Sequence, residues 1–260
     1  MTKSNIGILL AGHGTCHEAG LAEVRTLAKQ VAGALAPWPV ETGFIELAEP
    51  TIGGAFDRLV KRGVQEVRVV PLLLFAAGHA KADLPSAIRE AADVHKNIEV
   101  TVAPPFGLDE RIGSLSQRRF NEALSGRSYL SANQVYWLLA GRGSSDAEAI
   151  AEFERFASRQ AQRLELPNFG FAFVAAAQPS LEAGLMRAAA MATAGVKRIV
   201  VQPHLLFCGA VVDQLHAAVA RGQAKCPGVE WVACAHLGPE QELVDAVVER
   251  ATDTATPMAG

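Results

Sequence analysis

Ile6-Gly7-Ile8-Leu9-Leu10-Ala11-Gly12-His13-Gly14-Thr15 is the stretch from which the rest of the chain is read. Residues 6–11 form a continuous apolar run rather than an alternating one, which predicts a strand buried on both faces, as in a parallel sheet. The run stops at Gly12-His13-Gly14. From Glu18 an apolar stripe at helical spacing takes over, with Leu21, Val24, Leu27, Ala28 and Val31 on one face. A strand that ends where a helix is about to start puts His13 at the carboxyl edge of an open α/β sheet, the edge at which ligands bind. The flanking glycines permit a sharp turn and leave the imidazole uncrowded.

The pattern continues downstream. Strands are predicted over 6–11, 40–45, 67–74 and 98–103, alternating with helices over 18–36, 51–62, 83–93 and 109–124. That alternation means parallel βαβ units. The polar segment Ser125-Gly-Arg-Ser-Tyr-Leu-Ser-Ala132 interrupts it, and the domain boundary is placed there, giving 1–126 and 127–260.

Beyond the boundary the pattern runs again. Leu9-Leu-Ala-Gly-His-Gly14 aligns with Leu138-Leu-Ala-Gly-Arg-Gly143 at an offset of 129 (142 − 13). Phe44-Ile-Glu-Leu-Ala-Glu-Pro50 faces Phe173-Val-Ala-Ala-Ala-Gln-Pro179 at the same offset, and Pro71-Leu-Leu-Leu-Phe75 faces Pro203-His-Leu-Leu-Phe207 at 132 (203 − 71). So steady an offset identifies an internal duplication. The fold class is α/β, with two similar domains, each a parallel four-stranded sheet flanked by helices.

The repeat is most informative where it fails. His13 becomes Arg142, Glu46 becomes Ala175 and His79 becomes Val211. The three changed positions lie just past three strand ends in the first half, which parallel strands bring to one side of the sheet. Two imidazoles and a carboxylate form an open site for a borderline divalent ion such as Co²⁺, Ni²⁺, Fe²⁺ or Zn²⁺, and the same groups can accept protons. Asp83 is either a helix N-cap or a partner that orients His79. In the second half, Arg142, Ser144 and Ser145 precede a helix starting near Asp146. They read as an anion cradle, or as a capped helix beside a solvated arginine. Cys16 and His17 beside His13 would make a local metal knot only with ligands from elsewhere. His204 reads as core, His95, His216 and His236 as surface or helix-end positions, and Cys208 and Cys234 as small core residues.

Several classes are excluded. A formal charge of −3 without a Lys/Arg cluster gives no footprint for nucleic acid. No apolar run approaches the roughly 20 residues of a membrane span. Met1-Thr-Lys-Ser-Asn5 leads directly into the first strand, which predicts no signal peptide, and four cysteines without CxxC spacing suit a reduced, cytoplasmic location. A dinucleotide fingerprint would need glycine at 17 and 146, where His17 and Asp146 stand, and there is no phosphate-binding Gly-Lys-Ser/Thr loop.

Gly-His-Gly at 12–14, Phe-Ile-Glu at 44–46 and Pro-Leu-Leu-Leu-Phe-Ala-Ala-Gly-His-x-x-x-Asp-Leu-Pro at 71–85 resemble the class II sirohydrochlorin chelatases. The second half, with Gly-Arg-Gly-Ser-Ser and Pro-x-Leu-Leu-Phe-x-Gly, is similar to the second half of the long, duplicated cobaltochelatases. The resemblance implies insertion of Co²⁺ first, with Fe²⁺ or Ni²⁺ as alternatives, into sirohydrochlorin or a related tetrapyrrole in cobalamin or siroheme biosynthesis. It implies His13 and His79 as metal ligands, Glu46 as their acidic partner, and Arg142, Ser144 and Ser145 on the carboxylates of the macrocycle. Gly12 and Gly14 fall at the substrate-binding turn, and the second domain forms the opposite wall. The metal is then a substrate and no cofactor is required. The chain lacks the histidine-rich segment or cysteine cluster of some long members, so no accessory iron–sulfur centre is expected. One chain supplying both walls implies a monomer, with a homodimer as the alternative. The competing functional class is a non-catalytic protein that binds or delivers a metal or tetrapyrrole.

Overall fold

The structure, a computed structural model, describes residues 5–75 and 80–253. Strands and helices alternate throughout. The first repeat comprises β1 (Ile6–Gly12), α1 (Glu18–Ala34), β2 (Val40–Phe44), α2 (Ile52–Lys61), β3 (Glu66–Pro71), α3 (Ala80–Val94), β4 (Glu99–Val102) and α4 (Glu110–Leu124). The second comprises β5 (Val135–Gly141), α5 (Ala147–Arg163), β6 (Phe169–Phe173), α6 (Leu181–Ala190), β7 (Arg198–Pro203), α7 (Ala210–Lys225), β8 (Glu230–Ala233) and α8 (Gln241–Thr252). No described helix is long and apolar enough to cross a membrane.

Two four-stranded sheets result, ordered β2-β1-β3-β4 and β6-β5-β7-β8, and every ladder is parallel. β1 and β5 are flanked on both sides and all their residues are buried, which is why each reads as an unbroken apolar run. In this order the chain changes direction between β1 and β3, and the carboxyl ends of those two strands border the crevice where open sheets hold ligands. Leu9, Ile52, Phe56, Leu59, Val69 and Ile88 anchor the first core. Leu138, Leu181, Ile199, Val201, Leu215 and Trp231 anchor the second. Each such side chain contributes about 1.5–3 kcal/mol when fully buried.

The compact units do not follow the repeat boundary. One consists of Met1–Phe106 with Pro239–Gly260, the other of Gly107–Gly238. α4 packs into the second unit, where Gln202 Nε2 donates to the Ser116 carbonyl and hydroxyl at 2.8 and 2.9 Å and Arg119 Nη2 donates to the Leu237 carbonyl at 2.7 Å. α8 packs into the first, where Arg250 Nη2 donates to the Pro105 and Phe106 carbonyls at 3.2 and 3.0 Å and Arg68 Nη1 to the Ala251 carbonyl at 3.0 Å. A cut at 126/127 therefore separates the sequence repeats but leaves each closing helix away from the unit that holds it.

Candidate functional site

Each repeat builds the same turn after its first strand. In the first unit, Ile45 N–H donates to the Gly12 carbonyl and Glu46 N–H to the His13 carbonyl, both at 3.0 Å. In the second, Val174 N–H donates to the Gly141 carbonyl at 3.0 Å and Ala175 N–H to the Arg142 carbonyl at 2.8 Å. Gly14 adopts φ +100°, and a Cβ there would lie 1.8 Å from the Glu46 carbonyl oxygen. Gly143, at φ +95°, would meet the Ala175 oxygen at the same 1.8 Å. These two glycines are obligatory, because the backbone of the neighbouring segment occupies the space a side chain would take. Gly12 differs: it lies within β1, and a Cβ there would meet only the Phe44 ring at 3.4 Å.

On this frame His13 and Glu46 come together, with Nε2 and Oε1 3.5 Å apart. Their side chains are 32% and 57% exposed, so water reaches both and the attraction between them is weakly stabilising at best. The fold thus leaves an imidazole and a carboxylate side by side and accessible. Asp83 is exposed in the first turn of α3 and does not cap that helix. The helix begins earlier, at Ala80, because Ala80-Lys81-Ala82 are good helix formers upstream of Pro85. His79 lies outside the described residues.

His17 Nδ1 accepts from Gly20 N–H at 3.3 Å and caps α1, which turns that ring to a structural task. Cys16 is exposed, its Sγ 3.9 Å from the Leu47 carbonyl. Among the described residues of this unit, no third histidine, cysteine or carboxylate reaches ligand distance of the His13–Glu46 pair.

In the second unit, Arg142 and Ser145 are exposed. The Ser144 hydroxyl accepts Asp146 N–H at 3.0 Å, and Asp146 Oδ1 accepts the N–H groups of Glu148 and Ala149 at 2.9 and 3.3 Å. Thr15 accepts the His17 N–H at 3.1 Å in the matching place. Ser144 therefore belongs to the turn common to both repeats, and the start of α5 is already capped by a carboxylate. An incoming anion would meet Arg142 and Ser145 rather than open helix N–H groups.

His204 is core, as expected, just past β7. Its ring packs on Phe153 and Phe156 at centroid distances of 5.6 and 4.2 Å, and burial pushes its pKa down to about 3. Cys234 is fully buried, and burial pushes its thiol up to about 12. Cys208, expected in the core, is only half-buried because it follows the end of β7. One feature escaped sequence reasoning: Leu47, directly after Glu46, is 56% exposed and sits at φ +62°. Its counterpart Ala176 has φ +55°. Aligning Leu47 with Ala176 was the signal that could have singled it out.

The CbiX family pattern matches residues 7–123 and again 137–254. The chain belongs to the CbiX family. It is 34% identical over 175 residues to a sirohydrochlorin ferrochelatase of Priestia megaterium, covering 67% of this chain and 63% of that one. A sirohydrochlorin cobaltochelatase from the same organism is 26% identical over 215 residues, 82% of this chain and 69% of the relative. Among solved structures, the sirohydrochlorin chelatase SirB from Bacillus subtilis subspecies spizizenii, in complex with cobalt, superposes with a TM-score of 0.80 at 25% identity, covering 96% of this chain and 95% of that one. The twofold family match coincides with the two sheets described above, as the internal duplication requires.

Proposed function

We propose that this protein inserts a divalent metal ion, Co²⁺ or Fe²⁺, into sirohydrochlorin, and so serves cobalamin or siroheme biosynthesis. Imidazole and carboxylate donors accept either ion. The metal is a substrate, released in the macrocycle at the end of each turnover. Net, the free-base ring gives up two pyrrole protons as one divalent ion enters.

His13 and Glu46 hold the ion beside the ring, with His79 as the further donor. A neutral His13 Nε2 offers the lone pair that coordinates metal or receives a pyrrole proton. Glu46 supplies negative charge next to a dication and, being exposed, passes protons on to water. Arg142 and Ser145 hold peripheral carboxylates of the macrocycle. The observation that carries this reading is the His13–Glu46 pair at 3.5 Å, on a turn that the second repeat reproduces bond for bond with Arg142 and Ala175 in their places. The frame does not demand those two side chains, so their reason is chemical. CbiX membership and the relatives' activities support the same conclusion.

The test is absorbance-monitored conversion of metal-free sirohydrochlorin by the purified protein with limiting Co²⁺ or Fe²⁺. Enzyme-dependent conversion well above the spontaneous rate is expected. Binding of ring and metal without faster conversion would replace the enzyme with a delivery protein.

A further inference from the structure

We infer that Leu47 is a substrate-contact residue, an apolar platform on which the macrocycle rests while His13 and Glu46 hold the metal. The inference rests on the chelatase reading. Leu47 follows Glu46 directly, and the residue is 56% exposed rather than drawn into the core of Leu9, Ile52 and Phe56. Its backbone is left-handed, at φ +62°, a conformation that non-glycine residues seldom adopt. The turn holds this conformation, and the contacts on either side are compatible with it. Glu46 N–H is tied to the His13 carbonyl at 3.0 Å, and the Leu47 carbonyl lies 3.9 Å from Cys16 Sγ.

The second repeat separates what the turn needs from what the leucine adds. Ala176 occupies the same position with φ +55°, inside the same pattern of backbone hydrogen bonds, so the turn closes without a large side chain. Nothing in the fold asks for leucine at 47. A lone exposed apolar side chain is ordinary on a protein surface. This one borders the only donor pair the first turn presents among its described residues, and the repeat that lacks the donors also lacks the leucine.

A tetrapyrrole has an extended apolar face with polar groups at its rim. Stacking that face on an isobutyl group beside the imidazole would fix the height of the ring over the ion and remove water from both surfaces. Such a contact binds macrocycle and not metal, which sets the test. Binding of metal-free sirohydrochlorin would be followed by fluorescence for the wild type, Leu47→Ala and Leu47→Met, alongside Co²⁺ affinity and thermal stability. Leu47→Ala should weaken ring binding about five- to tenfold, because a ring resting on one side of the isobutyl group covers only about half of the three lost carbons, and raise KM with kcat held. Co²⁺ affinity and melting temperature should stay put, and Leu47→Met should retain wild-type ring binding. Equal ring affinity for wild type and Leu47→Ala overturns the inference alone, as does a Leu47→Met variant as weak as Leu47→Ala or a parallel loss of Co²⁺ affinity. A wild type that fails to bind the macrocycle overturns the chelatase reading and takes the inference with it.

Discussion

The turns after β1 and β5 are the same object built twice. Each has an obligatory left-handed glycine, two backbone bonds to the segment after the neighbouring strand, and a left-handed non-glycine residue directly after the donor of the second bond. Their side chains differ: His13, Glu46 and Leu47 in one stand where the other has Arg142, Ala175 and Ala176, and Cys16 and His17 stand where it has Ser145 and Asp146. Geometry and chemistry are therefore separable in this protein. What both turns share makes the turn, and what one turn has alone is left free for chemistry.

The glycines give the hardest test of the shared part. Gly14→Ala places a Cβ 1.8 Å from the Glu46 carbonyl oxygen, and the backbone must move to relieve it. Loss of about 3 kcal/mol or more is expected in urea unfolding, together with loss of metal binding. Gly143→Ala should cost a similar amount of stability. If either substitution is neutral, the two turns do not depend on their glycines in the way the comparison requires.

His204 sharpens the comparison from the core side, because the first repeat has Leu72 in its place. Burial holds the folded pKa at about 3 against a reference of 6.5. Between those values the unfolded chain binds a proton that the folded chain refuses, so stability falls as pH falls, by about 1.4 kcal/mol per pH unit. Relative to pH 8, His204 should cost about 2 kcal/mol at pH 5. His204→Leu should remove that part of the acid sensitivity, measured as the difference between urea midpoints at the two pH values. An unchanged difference would mean the ring is charged or solvated in the folded state.

Arg142→Ala tests the side chain that the second turn has gained. The expected effect is a several-fold rise in KM for the tetrapyrrole, worth about 1 kcal/mol, with kcat little altered, since a group on peripheral carboxylates binds ground and transition states alike. A fall in metal affinity at unchanged ring affinity would move Arg142 to the other substrate.

Much of this was legible in the sequence, and for physical reasons. Strands buried on both faces write themselves as apolar runs, so the strand expected over 6–11 is β1 to within a residue, and β5 announces itself through its likeness to that run. The duplication then exposed His13 and Glu46 as the positions where chemistry had been changed on a kept frame. Hydrophobicity alone could not say where β3 leaves its ladder, because Leu72-Leu73-Leu74 continues the run past Pro71. It could not assign α4 and α8 to their units either, since an amphipathic pattern marks the buried face and not the partner. Ser144 looked like a ligand group because a hydroxyl at a helix start suits an anion as well as it suits the next N–H. The left-handed backbone of Leu47 has no signature in residue type at all.

If the first turn acts through side chains that the turn itself does not need, grafting the second repeat's residues onto it removes the reaction and leaves the fold. His13→Arg, Glu46→Ala and the double variant should keep the melting temperature of the wild type, because Arg142 and Ala175 already occupy this frame. Under limiting Co²⁺ or Fe²⁺, absorbance-monitored insertion into sirohydrochlorin should fall at least about a hundredfold in His13→Arg and in the double variant, since removing a residue that merely orients a metal ligand already costs about 10–100-fold. Near-wild-type insertion by a folded double variant would mean that neither His13 nor Glu46 carries the reaction.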